Sequence, residues 1–186
     1  MAKHHGDTGD TSLFDGERVR KTDVRIATIG DIDELNSVVG QAVSTTPPGR
    51  EQDRLKWVQH QLFSMGSELA NPSGRAQGDH IAAKDVHRMD GWIDAYRTSL
   101  PPLQHFVLPS GSAAGAAAHV ARSVCRRAER SAYILAAQHP INPPILWFLN
   151  RLSDVLFEMA RQLNMDAGIS EVEWLGPRDR PGDSST

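Results

Sequence analysis

The run His119-Val120-Ala121-Arg122-Ser123-Val124-Cys125-Arg126-Arg127-Ala128-Glu129-Arg130-Ser131-Ala132-Tyr133 decides the fold. It has no glycine or proline and is rich in alanine and arginine, so it reads as helix. At about 100° per residue, His119, Arg122, Arg126, Glu129, Arg130 and Tyr133 share one face. Ala117, Val120, Val124, Ala128 and Leu135 fall on the opposite side and are expected to be core. Arg127 lies off the stripe. Like charges one turn apart repel unless an anion or a carboxylate lies between them. The guanidinium fork matches phosphate oxygens, so a triphosphate is a natural partner. A solvated amphipathic surface would carry similar charges.

Working outward, Ser112 is a plausible N-cap, which places this fourth helix at about 113–138. Asn142-Pro143 combines a cap residue with proline at the first helical position and starts a fifth helix that runs to about 164. On the other side, Ile29, Ile32, Leu35, Val38/Val39 and Ala42/Val43 recur at helical spacing from about Thr28 until Pro47-Pro48-Gly49. Asp31 with Glu34 is a candidate capping box there. Leu55, Val58, Leu62, Met65 and Leu69 mark a second helix over 51–70, and Val86, Met89, Ile93 and Tyr96 a third over 81–99. Five helices with short connections predict an all-α fold, a helix bundle. The expected organisation is a polar N-terminal segment of the same domain (1–27), a five-helix bundle (28–164), and a C-terminal tail (165–186) that is at least partly disordered.

Composition narrows the function. The chain has 186 residues, enough for one domain with a real core. Its formal net charge of −3 gives no basic excess, so a nucleic-acid partner is not expected. One cysteine, Cys125, rules out an internal disulfide and fits a reducing, cytoplasmic setting. No run approaches a membrane span, so no membrane role is expected. The eight histidines form no metal-ligand motif, and neither a P-loop nor a GxGxxG is present.

Gly6-Asp7-Thr8-Gly9-Asp10-Thr11-Ser12 is rich in small and hydroxyl residues, a composition that lets backbone N–H groups approach phosphate. Thr11 and Ser12 would add hydroxyls and Lys21 a charge. Asp33, Asn36 and Gly40 share a face of the first helix; Asn150, Ser153, Asp154 and Arg161 share one on the fifth. These sets are candidates to answer the arginines of the fourth helix.

Four segments, in order, carry a family resemblance. They are Gly6-Asp7-Thr8-Gly9 through Thr11-Ser12-Leu13; Gly30-Asp31-Ile32-Asp33-Glu34-Leu35-Asn36; Phe106-Val107-Leu108-Pro109 through Arg122 to Arg126-Arg127-Ala128-Glu129-Arg130; and Phe148-Leu149-Asn150-Arg151-Leu152-Ser153-Asp154. The chain resembles the PduO-type ATP:cob(I)alamin adenosyltransferases over about 4–164. The resemblance implies transfer of the 5′-deoxyadenosyl group of ATP to a reduced corrinoid, with Mg²⁺, by a homotrimer whose active sites lie between subunits. It implies that Gly6, Asp7, Thr11, Ser12 and Lys21, with Arg126, Arg127, Glu129, Arg130 and Asn150, contact ATP. It implies that Asp33 pairs with Arg122 across the interface beside the corrinoid, that Phe106 lies at the lower corrin face, and that Arg126, Asp33 and Arg122 serve catalysis. No protein-bound metal site is implied, and a reductase and an adenosylcobalamin-dependent enzyme are the implied partners. Departures from the family pattern fall at Lys3-His4-His5 (usually Thr-Lys-Thr), at Asp15, and at Ser110 (usually glycine), the last expected to restrict the turn beside Phe106. A non-catalytic corrinoid- or nucleotide-binding trimer of the same fold is the alternative expectation, and a helical scaffold without ligand a third.

Overall fold

A computed structural model describes residues 7–73, 80–174 and 176. A short antiparallel hairpin, β1 (Asp10–Ser12) and β2 (Arg18–Arg20), precedes five helices: α1 (Val24–Thr45), α2 (Arg50–Leu69), α3 (Ala83–Ser99), α4 (Ala113–Ala136) and α5 (Pro143–Asp166). The architecture is the expected all-α five-helix bundle. Helix α4 is central and packs on α1 and α5, while α2 lies against α1 and α3 against α5.

The reason α4 can be central is the size of its inward side chains. Ala114, Ala118, Ala121, Cys125, Ala128 and Ala132 are buried, with Leu135 closing the row. Small side chains let neighbouring helices approach closely, and the volume is filled from outside by Ile32, Leu35 and Val39 of α1 and Leu149, Leu152 and Leu156 of α5. Each such fully buried leucine stabilises the fold by about 1.5–3 kcal/mol relative to an exposed one. The Cys125 thiol donates to the Leu149 carbonyl at 3.3 Å, and burial pushes its pKa up.

This core face differs from the sequence expectation. Val120 is 53% exposed and Val124 only partly buried, whereas His119 is buried. The buried face is turned roughly 60° toward the arginine stripe, counting 100° per residue. The stripe therefore borders the core rather than opposing it.

Helix boundaries follow local chemistry. Helix α1 starts a turn earlier than its apolar rhythm, because the Asp23 carboxylate accepts from Arg25 N at 2.8 Å and caps it. The Asp31–Glu34 pair lies inside α1 and caps nothing. Ser112 caps α4 as expected, its Oγ accepting from Gly115 N at 2.9 Å. Asn142 precedes Pro143 but makes no side-chain cap. Its amide donates instead to the Ile81 carbonyl at 2.8 Å, tying the start of α5 to the start of α3.

Two irregular segments are fixed by specific bonds. The hairpin is held where Phe14 N donates to the Ala70 carbonyl (2.9 Å), buried Arg25 donates to the Leu69 carbonyl (3.0 Å), and Leu13 is buried. Beyond α5, Val172 and Trp174 pair with the Phe106–Leu108 stretch: Leu108 N donates to the Val172 carbonyl (2.8 Å) and Trp174 N to the Phe106 carbonyl (2.7 Å). Arg161 pins this clip. It is buried, bonds Glu171 at 3.0 Å and Glu158 at 3.1 Å, and donates to the Pro101 carbonyl at 2.7 Å. No periodicity in the sequence announces that pairing.

Candidate functional site

The hairpin, α1 and α2 enclose a cavity of about 700 Å³. Thr11, Ser12 and Lys21 line it from the hairpin side; Gly30, Asp33 and Asn36 line it from α1. Lys21 is placed there because its backbone N–H donates to the Gly9 carbonyl at 2.8 Å, with Gly9 at φ 82°. A positive φ suits glycine and lets the strand ends close. Asp33 is exposed and has no side-chain partner among the described residues. Phe14 and Phe63, at 68% and 75% exposure, form the apolar rim. Asp7 lies at the described start of the chain, and Gly6 and Lys3-His4-His5 lie outside the described residues.

A second cavity, about 790 Å³, opens on a different side of the bundle. Its walls include Phe106, Val107, Arg122, Phe157 and Trp174. Phe106 is 80% exposed and meets the Trp174 ring edge-on at 6.4 Å. The backbone pairing of Trp174 with Phe106 thus builds this wall. Ser110 does not strain the turn that carries it. Gly111 takes the positive φ of 114°, while Ser110 contributes its carbonyl to the Asn164 amide at 3.0 Å. The Asn164 side chain also accepts from Ser112 N at 2.9 Å and Oγ at 3.0 Å, so α5 holds the turn.

The arginines of α4 divide by direction. Arg122 lies over the Phe157 ring at 5.9 Å, and burial and then the neighbouring Arg126 lower its pKa. Arg126 and Arg130 are exposed, joined only by Arg130 donating to the Arg126 carbonyl at 2.9 Å. Arg127 turns to α1, where it bonds Glu34 and lies 3.6 Å from Asp31, which also accepts from Ser131 Oγ. Glu129 accepts from the Asn150 amide at 2.9 Å. From the α5 set, then, only Asn150 joins the stripe. Ser153 bonds the Asn150 carbonyl, Asp154 lies beside Arg151, and Arg161 faces inward.

The sequence reading placed His119 on the polar stripe but missed its burial. Its ring is 3% exposed and 6.0 Å from Phe157. Burial and then Arg122 lower its pKa to about 4, so it is neutral near pH 7. His119 Nδ1, Arg122 Nε and Asn36 Oδ1 are buried without a hydrogen-bond partner among the described residues. Asp33 and Arg122 form no ion pair within the chain and line different cavities. No group of three His, Cys, Asp or Glu side chains among the described residues has metal-site geometry. No helix there is long and apolar enough to cross a membrane.

The family described as cobalamin adenosyltransferase matches residues 1–163. A cobalamin adenosyltransferase of Cupriavidus metallidurans is 43% identical over 182 residues, covering 96% of each chain. A corrinoid adenosyltransferase of Mycobacterium tuberculosis is 41% identical, covering 97% of this chain and 93% of its own. A solved structure, a variant of the PduO-type ATP:corrinoid adenosyltransferase from Lactobacillus reuteri complexed with cobalamin and ATP, superposes with a TM-score of 0.85 at 32% identity. It covers 92% of this chain and 97% of that one.

Proposed function

Since the chain belongs to the cobalamin adenosyltransferase family, we propose that it is a corrinoid adenosyltransferase: it transfers the 5′-deoxyadenosyl group of ATP to cob(I)alamin and releases triphosphate. The observation that carries the reading is the division of the site. Thr11, Ser12, Lys21 and Asp33 line one cavity, and Phe106 and Arg122 line another, with exposed Arg126 and Arg130 on the same helix as Arg122. Each half is chemically incomplete. Among the described residues, Asp33 is a carboxylate without a cation and Arg122 a cation without a carboxylate. A homotrimer in which Asp33 of one subunit meets Arg122 of the next completes both. Phe14, Phe63 and Phe106, each more than 65% exposed in the single chain, support such assembly.

In the reaction, the electron pair of Co(I) forms the cobalt–carbon bond as the C5′–O bond breaks, and both bonding electrons leave with triphosphate. The chemistry resides in the corrinoid, and the protein supplies position and charge. Arg126 and Arg130, with Lys21, neutralise the charge that grows on the leaving oxygens. Asp7, Thr11, Ser12, Glu129 and Asn150, together with Gly6, hold the rest of the nucleotide. Thr11 and Ser12 would face the water shell of a nucleotide-bound Mg²⁺, which usually takes few protein ligands and would supply further positive charge. Phe106, set against Trp174, offers an apolar surface to the lower corrin face and excludes water as a ligand there. That favours four-coordinate cobalt and eases reduction to Co(I). Arg127 belongs to the same segment and braces α1 as it does so. A reductase and an adenosylcobalamin-dependent enzyme would act before and after this step, in the cytoplasm.

The test is anaerobic turnover with cobalamin, a strong reductant and Mg²⁺-ATP, followed by absorbance as the light-sensitive cobalt–carbon bond forms. Product that requires ATP and Arg126 supports the reading. Binding of ATP and corrinoid without product would favour a non-catalytic binding protein and overturn it.

A further inference from the structure

Phe106 lies midway along the segment 100–112 that joins α3 to α4, and both ends of that segment are tied to α5. At the start, Arg161 Nη2 donates to the Pro101 carbonyl at 2.7 Å. At the end, one turn further along α5, the Asn164 side chain bonds Ser110 and Ser112. The middle is held by the stretch that follows α5, through the backbone hydrogen bonds from Leu108 N to Val172 and from Trp174 N to Phe106. That stretch is anchored by Arg161 as well, whose Nε donates to the two Glu171 oxygens at 3.0 and 3.2 Å. Arg161 therefore holds both the start of the segment that carries Phe106 and the base of the clip that grips its middle. It does so from outside the site. The cavity it lines is not the one that Phe106 faces but a separate one of about 290 Å³, shared with Pro101 and Glu171.

We propose that Arg161, acting through Glu171 and Pro101, is a positioning residue: it sets how closely Phe106 covers the lower face of the corrinoid, and thereby the coordination number of cobalt before reduction. The inference rests on the reading that Phe106 covers that face. Stability alone does not account for the residue. Arg161 is buried, and taking a guanidinium out of water costs about as much as its ion pairs return, so an apolar side chain of similar volume would serve packing equally well. Its charge is balanced locally: Glu158 at 3.1 Å and Glu171 flank it, and Arg97, 3.8 Å from Glu158, shares the surplus. What a guanidinium gives and an apolar group does not is a planar fork of donors that fixes three chain segments at one point. Phe106 has little else to hold it. Its ring is largely exposed, and the Trp174 ring that meets it hangs from the same clip. A misplacement of about 1 Å, transmitted from a residue remote from the chemistry, is enough to cost roughly a hundredfold in rate. Cobalt makes such a shift readable. Co(II) takes water as a fifth ligand when its lower face is open, whereas Co(I), whose axial orbital is already filled, takes none. A displaced Phe106 thus hinders reduction of Co(II) and leaves the later attack of Co(I) on ATP untouched.

The experiment uses the full chain with Mg²⁺-ATP and cob(II)alamin under anaerobic conditions, and electron paramagnetic resonance reads the ratio of four- to five-coordinate Co(II). Glu171→Leu is the main variant, because it leaves Arg161 paired with Glu158 and Pro101 and so preserves the fold. Arg161→Met and Arg161→Lys accompany it. Glu171→Leu and Arg161→Met are expected to lower the ratio about tenfold or more, to slow product formation from cob(II)alamin by a similar factor, and to leave the rate from pre-reduced cob(I)alamin within about twofold. Arg161→Lys keeps the charge but not the fork and is expected to fall between them and wild type. In the chain without ligands, amide hydrogen exchange at Leu108 and Trp174 is expected to quicken in the same order. An unchanged ratio or unchanged exchange in both Glu171→Leu and Arg161→Met overturns the proposal. So does an equal loss from cob(II)alamin and cob(I)alamin, which is what general structural damage would give. Wild type that forms four-coordinate Co(II) but no product overturns the transfer reading and leaves the positioning role standing. Wild type that makes product while the variants keep its ratio does the reverse.

Discussion

Arg126 and Arg127 are adjacent in sequence and carry the same charge, yet they occupy different environments. Arg127 is met by Glu34 and Asp31 of α1, with Ser131 bonding the same Asp31. Arg126 is exposed, and its neighbours on the stripe are Arg122 and Arg130. One position along a helix is about 100° of rotation, which is enough to turn one guanidinium toward the next helix and the other toward solvent. Charge satisfied inside the chain is structural; charge left unsatisfied inside the chain is available to a ligand or a second subunit.

That contrast can be broken by experiment. The largest effect is expected for Arg126→Ala. On the proposed role it removes a donor to the leaving triphosphate, and it should lower kcat roughly hundredfold to thousandfold with the melting temperature unchanged. A rate within tenfold of wild type would remove Arg126 from the mechanism. Next come Asp33→Asn and Arg122→Met. Each should cost turnover, and the double variant should cost little more than either alone, a coupling of about 1–3 kcal/mol. Additive losses would mean the two residues do not meet in the assembled protein. A stability effect of about 1–3 kcal/mol is expected for Asn164→Leu, which leaves the buried ends of its hydrogen bonds unpaired, read as a shift in the denaturant midpoint.

A smaller effect concerns His119. Its folded pKa of about 4 lies below the ordinary value of 6.5. Between those values the unfolded chain binds the proton and the folded one does not. Stability contributed by the neutral ring is therefore full above about pH 6.5 and lost as pH falls toward 4. His119→Gln should flatten that part of the stability–pH curve, and an unchanged slope would assign it to other groups. The smallest effect is expected for Arg127→Ala. Its pair with Glu34 is half exposed, worth about 0–1 kcal/mol, and turnover should fall less than tenfold. A loss equal to that of Arg126→Ala would erase the distinction between the two arginines.

Much of this was legible in sequence, and what was not has physical causes. The first three helices announced themselves through Leu, Ile, Val and Met at three- and four-residue spacing, the fourth through its alanine- and arginine-rich run, and Ser112 and Pro143 marked two starts. The inward face of α4 was misjudged because its buried row is mostly alanine, whose hydropathy is too weak to outvote Val120 and Val124. The start of α1 was hidden because its first turn is set by one hydrogen bond from Asp23 rather than by burial. Thr11, Ser12, Lys21 and Asp33 share one cavity and Phe106 and Arg122 another, a division that the resemblance did not state. Trp174 was missed as a wall of the second cavity because it lies 68 positions from Phe106 and no local pattern encodes the pairing. His119 was placed on the stripe, but its burial carries no signal in the residue type alone.

Asn164 fills the space that a side chain at Gly115 would need. A Cβ there would lie 2.0 Å from Asn164 Oδ1 and 3.1 Å from the Ala160 carbonyl oxygen. At Gly111 the same amide leaves 2.3 Å, and φ is positive as well. These positions thus constrain the order in which the protein can change. Any residue larger than glycine at 115 is blocked until 164 is smaller, yet shrinking 164 first releases the turn that presents Phe106. Each single step passes through a damaged intermediate, so the junction between the loop that carries Phe106 and the end of α5 is expected to vary as a unit or not at all.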